Sequence, residues 1–459
     1  MKYPLFKKVL VIILLSILLM IPLMMIEGVV MERSSYRDEA RYSIAQSWTG
    51  EQQVLGPLLV VPYKERFSVK VWNKEAERYE IQPRVIDRRL LITPGRLSVD
   101  GEVATETRKR GIYEVPVYRS RLAVSGRFDL SAIAETAAKT EHEIEWGEAS
   151  LSVSVSDVRG VDVQPVLKWR SASLDFAPDT LVDGIRNGMH ATLGRLQAKD
   201  GPAEFSFELN LNGMEMLSFS PMGKSTSVSL KADWPDPSFV GRYLPSTREI
   251  DEDGFSAEWN LSSFSSEIPK YLDNCQESDC SVLLHESFGV RLFNSVDIYQ
   301  QSERSVKYAL MFIGLTFVSF FLYEVMKGLR LHPMQYLLVG LGLSVFYLLL
   351  ISLSEHMAFL YAYTTASLAS TLLIGFYVSS VLGSAKHGGA LTAALLLLYG
   401  MLYGILRAED NSLLMGSLLT FGVLSLVMIV TRRLDWYAIT DDLTARLAVR
   451  KTADEGASA

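Results

Sequence analysis

The residue pattern points to a multi-pass α-helical membrane protein carrying a β-rich, sandwich-like (α+β) periplasmic domain. Three observations support this. Of the 459 residues 49% are hydrophobic, and the mean hydropathy is +0.17. The excess is uneven: the first thirty residues and the last third are apolar, whereas the middle is polar and turn-rich. Lys and Arg gather in alternate loops between the apolar runs. One chain therefore serves two solvents.

Residues 9–26 are almost unbroken hydrocarbon, preceded by Lys2, Lys7 and Lys8. About 20 apolar residues cross a bilayer core of ~30 Å. Glu27-Gly28-Val29-Val30 follows, with no A-x-A cleavage site, so the run reads as an uncleaved signal-anchor, with a cleaved signal peptide as the alternative. Five more runs, residues 308–323, 334–353, 358–382, 389–406 and 413–430, are too many in so short a stretch for buried core helices.

Cytoplasmic loops of bacterial spans are rich in Lys and Arg. With the N-terminus inside, the cytoplasmic side receives Lys327 and Arg330, then Lys386, then Arg432 and Arg433. The opposite loops carry Glu355 and His356, then Arg407, Glu409 and Asp410, so one positive charge is out of place. The expected division is 1–31 as cytoplasmic N-terminus and anchor, 32–305 as periplasmic domain, 306–433 as five-helix bundle and 434–459 as cytoplasmic tail.

The middle segment is large enough to bury a core. Alternation at residues 67–72, 151–155, 205–211 and 228–234 predicts strands with one face in a core and one in water. Asn212-Gly213, Pro235-Asp236-Pro237 and Asp253-Gly254 are turn signals. Asp100-Gly101, between 96–99 and 102–105, reads as a tight hairpin. Tyr36, Ala40, Ile44 and Trp48 recur every four residues and predict a helix that extends the first span out of the bilayer. Arg33, Arg37 and Arg41 form a second stripe, read as a solvated face, with contact to lipid phosphates as the alternative.

Function classes narrow by exclusion. A net charge of −7 without a basic stripe argues against nucleic acid. Two cysteines, Cys275 and Cys280, exclude a disulfide framework; an oxidising compartment would permit one structural disulfide between them. His142-Glu143 and His285-Glu286 begin like zinc-peptidase helices, but the positions of the second histidine hold Trp146 and Gly289, so they read as surface histidines. There is no phosphate-binding loop and no Gly-x-Ser-x-Gly elbow, and no cofactor is expected. Gly340-Leu341-Gly342 and Gly400-Met401-Leu402-Tyr403-Gly404 allow close helix packing. Asp435-Trp436-Tyr437 suits an interfacial anchor; residues 440–450 suit an amphipathic helix.

Four ionisable residues at span ends are candidate boundary residues: Glu324, His332, Glu355 and His356. At membrane depth such groups suggest a relay. At the ends of spans, headgroups and water solvate them, and anchoring is the expectation.

Several motifs resemble the CreD family of inner-membrane cell envelope integrity proteins. They are Gly56-Pro57-Leu58-Leu59-Val60-Val61-Pro62, Arg110-Gly111-Ile112-Tyr113, Asp157-Val158-Arg159-Gly160, Trp234-Pro235-Asp236-Pro237-Ser238-Phe239, the run Leu331-His332-Pro333-Met334-Gln335-Tyr336 through Leu341, Leu353-Ser354-Glu355-His356 and Asp435-Trp436-Tyr437. The resemblance implies a multi-pass protein of the bacterial inner membrane linked to envelope stress, colicin tolerance and the response to β-lactams. It carries over no catalytic residue. The expected partners are the lipid bilayer and an envelope protein or cell-wall component, bound by a non-enzymatic periplasmic domain. A transporter or channel formed by the last five spans is the alternative, though their interiors hold few ionisable residues and no inverted repeat is evident.

Overall fold

A computed structural model describes residues 4–74, 78–275, 279–292, 298–327, 331–407 and 412–432. Arg330, Glu409, Asp410, Arg433, Asp435-Trp436-Tyr437, residues 440–450 and the tail lie outside the described residues. The chain divides into two units: Met1–Arg37 with Val296–Ala459, and Asp38–Ser295.

The first unit is helical. Helices α1 (Pro4–Leu18) and α2 (Met20–Ser47) follow one another with a break at Leu19. Pro22 explains the break: it has no N–H for the preceding turn. Helices α3 (Ser131–Lys139) and α4 (Ile268–Cys275) belong to the second unit. The first resumes with α5 (Ile298–Lys307), α6 (Ala309–Lys327), α7 (Pro333–Ser354), α8 (Phe359–Leu382), α9 (Ala385–Arg407) and α10 (Ser412–Thr431). Among the described residues five stretches are long and apolar enough to cross a membrane, Phe6–Ser47 first among them, and Leu414–Ile429 is a shorter apolar helix. All six coincide with the runs read from the sequence. Their outward faces hold bare Leu14, Met25, Leu373, Phe376 and Phe421, which lipid tolerates and water does not. The paired glycines of α7 act as expected: Gly340 sits against Leu19 and Phe317, and Gly342 against Ile374 of α8. Gly400 and Gly404 have nothing within 4 Å of a would-be Cβ.

The second unit holds, in chain order, β1 (Gln52–Asn73), β2 (Arg78–Ile92), β3 (Arg96–Arg110), β4 (Tyr113–Phe128), β5 (Glu143–Trp146), β6 (Ala149–Val155), β7 (Val166–Trp169), β8 (Ala172–Asp175) and β9 (Ala177–Pro178). After these come β10 (Gly188–Gly194), β11 (Ala203–Met214), β12 (Met216–Phe219), β13 (Ser225–Ala232), β14 (Pro237–Gly241), β15 (Thr247–Ile250), β16 (Phe255–Ser262) and β17 (Phe288–Leu292). One sheet runs β14-β17-β12-β1-β6-β10-β9, with β2 and β5 also on β1; the other runs β15-β16-β13-β3-β4-β11-β7-β8. Leu58, Leu151 and Phe288 of the first meet Leu122, Leu209 and Trp259 of the second in one core, so the sheets stack as a sandwich.

Three local expectations need correcting. Asp100-Gly101 is not a hairpin: β3 runs through it, paired with β4 from Arg96↔Arg127 to Arg110↔Tyr113. Gly101 is there because a Cβ would meet Leu230 and Leu122 at 2.5 and 2.9 Å; the turn falls at Gly111, φ 63°. Asn212-Gly213 likewise lies inside β11, with Tyr118 packed over Gly213. The alternation of β6 does not leave one face in water. Ser152 and Ser154 are buried, their hydroxyls donating to the carbonyls of Thr180 and Asn187 in an overlying loop. By contrast Asp251 accepts from Asp253 and Gly254 in a true turn.

Candidate functional site

The boundary residues of the helical unit resolve into two separate clusters at opposite ends of α7. At its start, His332 caps the helix: its Nδ1 accepts from Met334 N at 3.2 Å, and Gln335 Oε1 accepts from His332 N at 2.9 Å. Pro333 at the first turn completes the start signal. Glu324 is not solvated as expected; only 3% of it is exposed. Its carboxylate receives Leu331 N at 2.8 Å, the Tyr336 hydroxyl at 3.0 Å and the Lys8 ammonium. Three donors offset what burial of the charge costs.

At the other end of α7, Glu355 accepts from the Tyr299 hydroxyl at 3.4 Å and faces Arg33 at 3.6 Å. His356 is exposed, and its Nδ1 lies 3.1 Å from Ser352 O. The arginine stripe is not a free solvated face. Arg33 faces Glu355, Arg37 lies over the Tyr299 ring at 5.7 Å, and Arg41 binds Glu215. Lys8, Tyr299 and Tyr336 were not foreseen from the sequence. No spacing signals a partner as remote as Lys8 is from Glu324, 316 residues along the chain.

In the β unit, Asp157-Val158-Arg159-Gly160 fastens Ala45 and Gln46, in the part of α2 beyond Arg37 that belongs to this same unit. Arg159 donates to Gln46 O at 2.8 Å and Ala45 O at 3.2 Å, and Asp157 accepts from Gly50 N at 3.4 Å. The hydrogen bond from Arg159, reinforced by backbone donors, holds the Asp157 carboxyl below its usual range.

His142 and His285 are exposed. Glu286, in contrast, is 1% exposed. It accepts from Tyr243 Oη at 2.6 Å, Ser266 Oγ at 3.1 Å and Glu267 N at 3.0 Å, just before α4. Burial, then the hydrogen bond to Glu286, pushes the Tyr243 phenol up to about 12. Cys275 and Cys280 are buried and not joined by a disulfide; Sγ of Cys280 lies 3.5 Å from Cys275 O. Burial raises both above the usual thiol range.

A site with room for a ligand lies elsewhere, on the solvent face of the β15-β16-β13-β3-β4-β11 region. It is a groove of about 910 Å³. Register places its floor: Glu249 opposes Ser256, Ser256 opposes Lys231, Lys231 opposes Glu102, Glu102 opposes Arg121, and Arg121 opposes Asn210. Asp251 and Asp253 close one end and Asp162 lies at the other, beside Asn210. Arg119, Ala104 and Asn212 form the next outward row. Period-two alternation at residues 205–211 and 228–234 marked Asn210 and Lys231 as outward-facing; Glu102, in a segment read as a hairpin, and Arg121 carried no such signal, and only strand order made the four neighbours. Among the described residues no three His, Cys, Asp or Glu side chains are grouped to hold a metal.

The model of the family described as Inner membrane protein CreD matches residues 4–437. Inner membrane protein CreD of Escherichia coli (strain K12) is 36% identical over 443 residues, 96% of this chain and 95% of that protein. Crystal structures of an M1 zinc metallopeptidase from Deinococcus radiodurans share 9% identity over 37% of this chain and 39% or 38% of theirs, at a TM-score of 0.17; so low a score carries no argument.

Proposed function

Because this chain belongs to the CreD family of inner membrane proteins, we propose that it is an envelope integrity and stress-response protein whose β-rich unit lies in the periplasm and binds an envelope partner, either a protein or a cell-wall component. The helices anchor that unit in the inner membrane, with both termini in the cytoplasm. The links to colicin tolerance and to β-lactams belong to the same reading. The observation that carries it is the groove on the eight-stranded sheet, which gathers Lys231, Glu102, Arg119 and Arg121 on one solvent-facing surface. Its lining of carboxylates, cations and amides suits recognition more than catalysis.

The test is complementation in a strain lacking the protein, scored as survival under envelope stress. A variant combining Lys231→Glu and Arg121→Glu, with normal abundance in the membrane, is expected to fail. Survival equal to wild type would remove the groove from the function.

A second reading, transport through the bundle, draws on the buried Glu324 and half-buried Glu355 in the helical unit. Replacing Glu324, His332, Glu355 and His356 together by Ala tests it. Loss of survival at normal abundance favours transport; unchanged survival leaves the groove.

A further inference from the structure

We propose that the groove takes a short extended peptide bearing both free ammonium and carboxylate groups, laid across the strands. This rests on the groove being the binding surface and adds the chemistry of what it binds.

The first argument is charge order. The row Glu249, Ser256, Lys231, Glu102, Arg121, Asn210 is fixed by direct register across six strands. Cations stand in its middle around Glu102. Carboxylates stand at both ends, with Asp251 and Asp253 beside Glu249 and Asp162 beyond Asn210; Asp233, between them, already accepts from Thr105 N at 2.7 Å. Charges this close on a sheet ordinarily pair across strands, each pair contributing ~0.2–1 kcal/mol. Here no ion pair joins Lys231, Glu102 and Arg121 among the described residues; Arg121 instead reaches Glu208 at 3.4 Å. Lys231 and Glu102, with no ion pair among the described residues, and Arg121, held only by the exposed Glu208, can therefore pair with a ligand whose carboxylates lie near the middle and whose ammonium lies toward an end.

The second argument is dimension. Neighbouring strands lie about 4.8 Å apart, so Lys231 and Arg121 are about 10 Å apart and the six-strand row is about 24 Å long. An extended peptide covers ~3.3 Å per residue, so about four residues cover the central part and about eight the whole. The volume of about 910 Å³ falls in the range typical of small-ligand sites.

The third argument is what the lining withholds. Phe255 is the sole aromatic among the described lining residues, and it is 5% exposed. A sugar chain would be expected to stack on an exposed ring, and a protein partner to seat an apolar anchor. Among the described residues the groove offers no exposed ring.

The experiment uses the full-length protein in nanodiscs. Isothermal titration is run with the sugar-free stem peptide of peptidoglycan, whose diaminopimelate supplies an ammonium beside carboxylates, and with the wall disaccharide alone. The expected result is saturable peptide binding that weakens at least tenfold in Lys231→Glu and in Glu102→Lys, recovers in part when the two are exchanged together, and falls with added salt. The disaccharide is not expected to bind. Both side chains face solvent, and unchanged melting temperatures confirm folding. Absence of saturable peptide binding, equal affinity in all variants, or disaccharide binding as tight as that of the peptide overturns the proposal. If peptide binding is absent while the groove variants still lose complementation, the groove reading stands and this ligand class falls. If complementation is intact, the groove reading itself falls.

Discussion

Removing the Glu324 carboxylate isolates what holds the first span to the α6–α7 hairpin. In Glu324→Ala three donors lose their acceptor: Leu331 N, the Tyr336 hydroxyl and Lys8 Nζ. A buried donor left unsatisfied costs about 1–3 kcal/mol. Leu331 and Tyr336 are buried and bear that cost in full, whereas Lys8, with 29% of its side chain exposed, can turn toward water. The expected loss is about 3 kcal/mol, at the lower edge of that for breaking a buried ion pair. Removing both charges in Lys8→Met with Glu324→Met takes away the unpaired cation, so the double variant should lose less than Glu324→Ala. The assay is thermal unfolding in detergent, followed as the monodisperse fraction of a fluorescent fusion, for wild type, Glu324→Ala, both single methionine variants and the double. A Glu324→Ala protein as stable as wild type would contradict this account. So would a double variant whose loss equals the sum of the single losses, since an additive cycle means no coupling.

Other consequences follow from the β unit and the topology. Gly213→Ala pushes a methyl group into the Tyr118 ring and should cost about 1–3 kcal/mol as overpacking, read by denaturant unfolding. The Asp157 carboxyl is held low by Arg159, so its contribution is present above the unfolded carboxylate pKa and is lost as pH falls through the lower folded value. Arg159→Ala should therefore lower the melting temperature at neutral pH and flatten its fall in acid; parallel acid limbs would count against the linkage. Cys275 and Cys280, buried with raised thiol pKa, should alkylate slowly at mildly alkaline pH in the folded protein and quickly after denaturation, as seen by mass spectrometry. Protection that persists in denaturant but vanishes with reductant would reveal a disulfide instead. Alkaline phosphatase fused after residue 200 should be active and fused at the C-terminus inactive; the reverse pattern would invert the proposed orientation.

Much was legible in local pattern. Each apolar run declared its helix, because a span must satisfy its own backbone and so needs a continuous apolar stretch. The strand at 205–211, and that at 228–234 as far as Ala232, followed from period two. Local pattern failed where a distant surface decides the outcome. Asp100-Gly101 spells a turn, yet Leu230 and Leu122 close over Gly101 and keep the strand straight. The serines of β6 spell a wet face, yet a loop supplies them with carbonyl partners. Glu324 spells a solvated boundary, yet Lys8 reaches it from the other end of the chain.

Which segments meet lipid and which meet water can be read along the chain, since transfer free energy sums over contiguous residues. So can the start of α7, since a cap is built from neighbouring side chains. Which charges face each other cannot. The row from Glu249 to Asn210 draws on six strands from distant parts of the chain: Glu102 meets Arg121 through a hairpin and Lys231 through a parallel pairing. Electrostatic contacts depend on distance in space, and strand order, which sets that distance, is fixed by the packing of the whole core.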